Sequence, residues 1–298
     1  MMLWLLLLQV WASCLWLGHS EVVNSFASCP QFFYSNSPPD AAMKPQNPAW
    51  ICQTFKNQPF YATLYDKDRR IPMYSAYKYE PGRFITNHTW TVEPQLIHSN
   101  LPKNMQTVQT LERQYNISKA QIMQNQAVNT DYEHSGWDHG YLNPNGHHNT
   151  LDSRNATYTL TNIVPMNEKL NRKTWRNYEQ QTMTNKSKDC QTTYVIVGAV
   201  PGNSSISNGR VNVPSHIWSG ACCKTKNNTV SAWAAIAENN QDQVWDLTLG
   251  ELENSLAQLY EMQNISLFHS SCPRTKPSHP GCKRLRGFSH ISQYHRML

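Results

Sequence analysis

One apolar run near the start of the chain, Met2–Leu17, most constrains its fold, because it decides the compartment in which the chain folds. The run is almost unbroken Leu, Trp, Val and Ala, and the small residues Gly18 and Ser20 precede the polar Glu21. This order is typical of a secretory signal peptide, although no Lys or Arg comes before the apolar core. The alternative, a signal anchor, is disfavoured because the run is short for a membrane span. No second run of spanning length follows, so we expect a signal peptide over 1–20 and a secreted chain without a transmembrane segment.

Secretion would place the cysteines in an oxidising compartment, where they pair. Outside the apolar run they are Cys29, Cys52, Cys190, Cys222, Cys223, Cys272 and Cys282. No two have the Cys-x-x-Cys spacing of a structural zinc site. We expect a local disulfide between Cys29 and Cys52. Cys190 and Cys272 then compete for the adjacent pair at 222 and 223, and Cys282 is the expected odd thiol.

The sequence also carries many acceptors for N-linked sugars, which agrees with secretion. The Asn-x-Ser/Thr tripeptides begin at Asn87, Asn116, Asn155, Asn185, Asn203, Asn227 and Asn264. A single tripeptide arises easily by chance, but this number behind a signal peptide predicts a glycoprotein. Only 15% of the residues are charged, below the usual quarter, so sugars could supply solubility that charge supplies elsewhere.

The net charge of +6 is concentrated in a tail over 273–298, which we expect to be disordered. Its six basic residues are Arg274, Lys276, Lys283, Arg284, Arg286 and Arg296, and it has no Asp or Glu. The rest of the chain then has 20 basic and 20 acidic residues. A neutral body argues against a strong electrostatic grip on phosphate backbones, although a local basic groove could still exist. The tail itself could contact DNA, RNA or another polyanion.

The pattern of the body, 21–272, predicts a single α+β domain with mainly antiparallel strands. Alternating residues predict a hairpin over 61–80 and a strand at 156–164, and further strands are predicted at 137–144, 193–200, 212–223 and 231–238. Apolar residues at helical spacing predict helices over 111–124, from Asn167 to about 184, and over 247–262. We expect Pro165 to end the strand before it and Asn167 to cap the helix after it.

The segment Asp138–Pro144, with the sequence Asp-His-Gly-Tyr-Leu-Asn-Pro, carries the most informative motif. It resembles the Asp-Arg-Gly-His signature of the DNA/RNA non-specific endonuclease superfamily. The segment 160–175 resembles that family's second block, and 63–77 and 213–223 match further blocks of a vertebrate subgroup. The resemblance covers roughly residues 27–272, and four blocks in the family's order are more specific than any one of them.

The resemblance implies a ββα-metal fold, in which two strands and a helix hold one Mg²⁺ beside a mixed, mainly antiparallel sheet with flanking helices. In that family the signature histidine takes a proton from the water that attacks phosphorus. Phosphodiester hydrolysis needs such an activated water and cationic stabilisation of the phosphate oxygens. Mg²⁺ keeps most of its waters, so a single asparagine side chain can be its protein ligand.

Several positions of this chain match the family's site. The resemblance assigns metal binding to Asn171. It also matches Asn162 to the asparagine at the end of the family's second strand. Glu179 matches an acidic residue that orders metal-bound water in the family. Asp138 and Gly140 match the first and third signature positions, and we expect Asp138 to brace the turn.

Three positions depart from the family: His139 replaces an arginine, Tyr141 replaces the catalytic histidine, and Met183 replaces an arginine of some members. A phenol with an ordinary pKa near ~10 is protonated at neutral pH and is a poor base. Loss of a general base typically slows a reaction by about 10²–10⁴. His139 shares a strand face with Tyr141, so it could act as a base displaced by about 6–7 Å.

Two functions follow from this mixed match. The first is a secreted, Mg²⁺-dependent endonuclease that cuts DNA and RNA weakly. The second is a non-catalytic, secreted binding glycoprotein on the same fold. His147 and His148 lie in a Gly- and Asn-rich loop, and we interpret them as polar loop residues rather than ligands.

Overall fold

The computed structural model describes residues 21–83 and 89–275. The predicted signal region, Asn87, Cys282 and the tail beyond Thr275 lie outside the described residues. Within the described part of the chain, no helix has the length and apolar character needed to span a membrane.

Twelve strands are found in the described residues, and eight of them form one sheet. The strands are β1 Val22–Val23, β2 Pro48–Phe55, β3 Gln58–Asp66, β4 Ile71–Lys78, β5 Asp138–Tyr141, β6 Ile163–Met166, β7 Cys190–Val200, β8 Ser204–Ile206, β9 Val211–Val213, β10 His216–Thr225, β11 Val230–Glu238 and β12 Trp245–Leu247. The large sheet has the order β1-β2-β3-β4-β7-β10-β11-β12, with antiparallel neighbours throughout. β5 pairs with β6, and β8 pairs with β9.

The helices are short and lie on both faces of the sheet. They are α1 Val108–Tyr115, α2 Lys119–Asn125, α3 Leu151–Asn155, α4 Glu168–Arg172, α5 Thr174–Asn177, α6 Met183–Ser187 and α7 Leu249–Leu259. A π-helical turn, Tyr178–Thr182, joins α5 to α6. We call the stretch 168–187, which is interrupted by the non-helical Lys173, the site helix. The predicted α+β class with a mainly antiparallel sheet and flanking helices is confirmed.

Alternation along the strands builds a core on each face of the sheet. In β7, Val195 and Val197 face one core, whereas Ile196 faces the other. The first core also contains β5, β6 and the site helix, while the second contains α7 and the segment after Phe26. The candidate site therefore lies on one face of the large sheet.

Two predicted elements have different bounds in the structure. Asn116 adopts a left-handed conformation with φ 55°, which splits the predicted helix over 111–124 into α1 and α2. Pro165 lies inside β6, opposite His139, instead of ending a strand. The residues before β6 form a 3₁₀ turn, Leu160–Asn162, rather than the predicted strand over 156–164.

The structure resolves the choice left open for the cysteines. Cys29 pairs with Cys52 as predicted. Adjacent residues of a strand point to opposite faces, so neighbouring cysteines in β10 reach different partners. The pairs are Cys190–Cys223 and Cys222–Cys272.

Arg274, which the sequence groups with the basic tail, is bound within the folded body. Its guanidinium donates to both carboxylate oxygens of Glu253 at 3.0 Å. It also donates to the backbone carbonyls of Phe268 and Cys272 at 2.6 Å. The end of the described chain is thus fastened to α7.

Candidate active site

β5 and β6 form the strand pair of the site. They run antiparallel, with Asp138 opposite Met166 and Tyr141 opposite Ile163. A Cβ at Gly140 would lie 2.5 Å from Met166 Cβ, which is closer than real Cβ atoms approach. The third signature position is therefore glycine because the two strands pack too closely for a side chain.

A cavity of about 420 Å³ lies between β5, the loop after it and the site helix. Its lining includes Tyr141 and His139 from the strand, Asn171 and Glu179 from the helix, and His147 from the loop. The structure thus brings together four of the residues that the sequence predicted and adds His147.

Asn171 has its amide orientation fixed by Asp138. Asn171 Nδ2 donates to Asp138 Oδ2 at 3.1 Å. An ionised carboxylate only accepts hydrogen bonds, so the amide must turn its nitrogen toward Asp138. Among the described residues nothing donates to Asn171 Oδ1, and the side chain belongs to the cavity lining. The amide oxygen is therefore available to a ligand in the cavity.

Asp138 is also paired with Arg172. Arg172 Nε donates to Asp138 Oδ2 at 2.8 Å, and Nη2 donates to Oδ1 at 2.7 Å. Arg172 Nη1 donates to Glu168 Oε1 at 2.6 Å, one helical turn earlier. Asp138 thus ties β5 to the first turn of the site helix.

Tyr141 stands at the general-base position as a half-buried phenol. Burial raises its pKa above the ordinary value of 10, and the neighbouring Tyr158 raises it further. Trp90 stacks on the Tyr141 ring with 5.8 Å between centroids. Tyr141 therefore holds its proton at physiological pH and is unsuited to take another from water.

His139 is held between two aromatic rings. The centroid of Trp90 lies 4.6 Å from that of His139 on one side, and Tyr132 lies at 4.4 Å on the other. His139 Nε2 is 3.2 Å from Asn129 Oδ1. These contacts fix the ring and engage Nε2, which argues against the displaced-base role considered for His139, because a base must offer a ring nitrogen within hydrogen-bond reach of its water.

Glu179 is half-buried and lines the cavity from the π-helical turn. Burial raises the pKa of its carboxyl to about 8, although Trp175 and Arg176 act in the opposite direction. The backbone carbonyl of Glu179 accepts a hydrogen bond from the loop histidine described next. The π turn thus carries both an acidic side chain and a loop contact at the cavity wall.

His147 is buried and has both ring nitrogens engaged. Nε2 lies 3.0 Å from Glu179 O and therefore donates, so Nδ1 accepts from Tyr77 OH at 2.9 Å. Burial lowers the pKa of His147 to about 4, and that of the adjacent His148 to about 3. His148 Nε2 lies 2.7 Å from Asn143 Oδ1. Both histidines hold the loop after β5, and His147 has both ring nitrogens occupied by these contacts.

Asn162 is fully buried and lies outside the cavity lining. Its Oδ1 accepts from Ser75 Oγ and from Asn143 N, both at 3.0 Å. Its Nδ2 donates to the carbonyls of Asn143 and Thr157 at 2.9 and 3.1 Å. Asn162 thus fastens the loop after β5 to the main sheet, and this geometry supports a scaffolding role rather than a contact with substrate.

The sequence model described as DNA/RNA non-specific endonuclease matches residues 38–272. The chain belongs to the DNA/RNA non-specific endonuclease family. It is similar to the human endonuclease domain-containing 1 protein, with 27% identity over 271 residues and 89% of this chain covered. The mouse protein of the same name is 29% identical over 256 residues, or 83% of this chain. The chain spans about half the length of these relatives, 51% and 48% respectively.

Two further similarities are more distant. A nuclease of Nostoc sp. is 29% identical over 90 residues, which is 29% of this chain and 32% of that protein. A chain in the crystal structure of the EndoG/EndoGI complex superposes with a TM-score of 0.47 and 16% identity, covering 69% of this chain and 83% of that chain. The vertebrate subgroup that the sequence motifs resemble is confirmed by the human and mouse matches.

In this member of the endonuclease family, the position of the helical arginine contributes no charge. Met183 is buried in the first core, and its sulfur accepts from Trp233 Nε1 at 3.4 Å. The cations at the cavity are instead Arg172 and Arg176, which lie on earlier turns of the site helix.

Family membership suggests a divalent metal, and the cavity can be tested for its donors. The described residues contain no group of three or more His, Cys, Asp or Glu side chains arranged for a metal. The available donors are the amide oxygen of Asn171 and the carboxylate of Glu179. Oxygen donors in small number fit a hard cation that keeps most of its waters.

Proposed function

We propose that this protein is a secreted nucleic-acid-binding endonuclease that hydrolyses phosphodiester bonds of DNA and RNA only weakly. The observation that carries the proposal is Tyr141, a half-buried phenol at the general-base position whose pKa is raised further by burial. A protonated phenol cannot accept a proton from the attacking water at neutral pH. The site therefore keeps side chains that can bind substrate and metal, but it lacks an efficient general base.

Binding would use the helical side of the cavity. Arg172 and Arg176 are exposed at its wall and can meet phosphate oxygens. His147 and the Asn162 network hold the loop on the opposite side, so the substrate meets a preformed surface. The contact area is local, which agrees with a body whose formal charges balance.

The Asn171 amide oxygen would hold Mg²⁺, and Glu179, eight residues further along the site helix, would order water bound to the ion. When bound, the ion would supply the cationic stabilisation of phosphate oxygens that Met183 does not. Asp138 would keep the amide of Asn171 oriented toward it. Orientation by a hydrogen-bonded partner is the usual way in which a protein tunes a metal ligand.

Secretion and glycosylation belong to the same proposal. Three disulfides join the described cysteines, as expected for an oxidising compartment. The sequon asparagines at 116, 185, 203, 227 and 264 are exposed, while Asn155 is half-buried beside the buried Thr157. Sugars on exposed asparagines would leave the core undisturbed.

The test is a plasmid-nicking assay with Mg²⁺ on the secreted protein. We expect slow nicking by wild type, none by Asn171→Ala, and an increase of about 10²–10⁴ when Tyr141→His restores a base. His139→Arg combined with Tyr141→His would add a cation and should be at least as active. Nicking by wild type that Tyr141→His does not increase would contradict the assignment of Tyr141.

A non-catalytic binding glycoprotein is the second candidate, and the Trp90 ring favours it. Trp90 stacks on both His139 and Tyr141, so the strand face that should carry the chemistry is packed against indole. Wild type that never nicks DNA but binds it, with activity only in the double variant, would favour this candidate. Polyanion binding that disappears when 273–298 are deleted would assign the contact to the tail.

A further inference from the structure

Arg172 on the site helix is paired with Asp138, the first signature position. We propose that Arg172 is a positioning residue that holds Asp138 and thereby presents the Asn171 amide oxygen to the cavity. The inference rests on the proposed function, because it gives that oxygen a divalent cation to meet.

The contacts form a continuous chain from Arg172 to Asn171. Arg172 Nε and Asn171 Nδ2 donate to the same atom, Asp138 Oδ2, at 2.8 and 3.1 Å. Arg172 Nη2 holds the second carboxylate oxygen at 2.7 Å. With both oxygens engaged, the carboxylate cannot rotate without breaking the arginine fork. The amide nitrogen of Asn171 is therefore directed toward Asp138, and its oxygen toward the cavity.

Glu168 fixes the arginine in turn. Its Oε1 accepts from Arg172 Nη1 at 2.6 Å, and the two residues are one helical turn apart. The guanidinium is thus held by carboxylates on two sides, although its side chain is 61% exposed. Such a network restrains Arg172 more than a single exposed ion pair would. Its fork therefore orients its neighbours, in addition to the contact with phosphate proposed for its exposed side.

The positioning role and a purely electrostatic role predict opposite effects of removing Arg172 on the binding of a divalent cation. If Arg172 acted only as a nearby positive charge, its removal would strengthen binding of a divalent cation. If Arg172 positions Asn171, its removal frees Asp138 and the amide, and cation binding weakens. Arg176 lines the same cavity on the same helix but has no contact with Asp138, so it supplies the matched control.

The experiment measures the dissociation constant of Mn²⁺, as the probe for the site, by titration calorimetry on the folded, full-length secreted protein. We expect Arg172→Gln to weaken Mn²⁺ binding by about 10–100-fold, as is typical when a partner of a metal ligand is lost. Arg172→Lys keeps the charge but lacks the fork, so it should also weaken binding. Arg176→Gln should leave it unchanged or slightly stronger. In an Asp138→Ala background, Arg172→Gln should have little further effect.

Several results would overturn the assignment. Unchanged or tighter Mn²⁺ binding in Arg172→Gln, as in the control, would show that Arg172 does not position Asn171 for the cation and would leave the proposed endonuclease function intact. A full Arg172→Gln effect in the Asp138→Ala background would show that it does not act through Asp138. Absence of Mn²⁺ binding by the wild-type protein, with nicking also absent, would contradict both the inference and the proposed function. Circular dichroism and melting temperatures of every variant would identify a loss of fold.

Discussion

The indole ring of Trp90 lies over the imidazole of His139, with 4.6 Å between centroids and 17° between the ring planes. Tyr132 covers the opposite face at 4.4 Å and 23°. The second signature position is therefore the middle of a three-ring stack rather than a charged contact. Trp90 extends over Tyr141 as well, so one side chain covers both departures from the family's signature.

We predict that Trp90→Ala lowers the free energy of unfolding by about 2–4 kcal/mol. The change removes a large, half-buried ring together with its stacking on His139 and Tyr141. Urea unfolding of the purified protein measures this free energy. Tyr115→Ala, which removes a ring that is 39% exposed on α1, is the control and should change stability by less than about 1 kcal/mol. Equal losses in the two variants would mean that the stack adds nothing to stability.

A second relationship concerns two buried carboxyl groups, Glu21 and Glu93. Glu93 Oε1 accepts from Thr159 and Thr161 at 2.6 and 2.9 Å, and Glu21 Oε1 accepts from Thr54 N at 3.0 Å. The remaining oxygen of each has no donor in the described structure. Burial raises the pKa of both carboxyls, and that of Glu21 is raised further by Glu93. A proton held between the two groups satisfies both oxygens.

The pH dependence of stability follows from the sign of these shifts. The folded state holds protons that the unfolded state releases above the ordinary glutamate pKa of 4.5. The stabilisation is thus complete below that value and decreases as pH rises through the folded pKa. Glu93→Gln places an amide N–H against Glu21 and removes the need for the proton. We expect it to raise the unfolding free energy at pH 8 by about 1–3 kcal/mol relative to wild type, and less at pH 5.

Glu112→Gln on the exposed face of α1 is the matched control for this prediction. The unfolding free energy is measured at pH 5, 6, 7 and 8. Its change with pH should be the same for Glu112→Gln as for wild type. A constant difference between Glu93→Gln and wild type at all four pH values would show that no proton is held between the two carboxyls.

The sequence predicted those elements whose pattern is local. β3, β4, β7, β10 and β11 are apolar or alternating runs bounded by turn residues, and α7 has a regular apolar stripe, so their existence was predictable. The strand predicted over 156–164 was wrong because Thr159 and Thr161 turn their hydroxyls to Glu93, which lies over 60 residues away. No local pattern contains that contact.

The residues of the candidate site were likewise predictable only where a local motif contains them. The motif identified Tyr141, Asn171 and Glu179, and the structure places them around one cavity. The roles of Trp90 and Arg172 depend on distances between segments that are far apart in sequence. His147 shows the same limit, because its role depends on contacts with Tyr77 and Glu179 O across the fold.

The disulfide assignment can be checked with single cysteine variants. We predict that Cys272→Ala leaves Cys222 as a free thiol, whereas Cys190→Ala leaves Cys223. Alkylation after unfolding, followed by mass spectrometry, identifies the freed residue. Each change should lower the unfolding free energy by about 2–5 kcal/mol. Alkylation at the other member of the adjacent pair would show that the partners are exchanged.

The last prediction concerns the sequon at Asn185, which lies at the edge of the cavity. Asn185 is exposed on α6, and the preceding residue, Thr184, lines the cavity and lies 3.2 Å from Tyr79 OH. A sugar chain at this position would stand beside the entrance and hinder a duplex more than a short single strand. We predict that Asn185→Gln, made in cells that attach N-linked sugars, increases the affinity for duplex DNA several-fold and the affinity for a tetranucleotide much less. Asn264→Gln removes an exposed sequon that follows α7, on the other face of the sheet, and should change neither affinity. Equal effects of the two variants, or a duplex affinity that Asn185→Gln does not alter although the glycan is lost on gels, would show that this sugar does not restrict access.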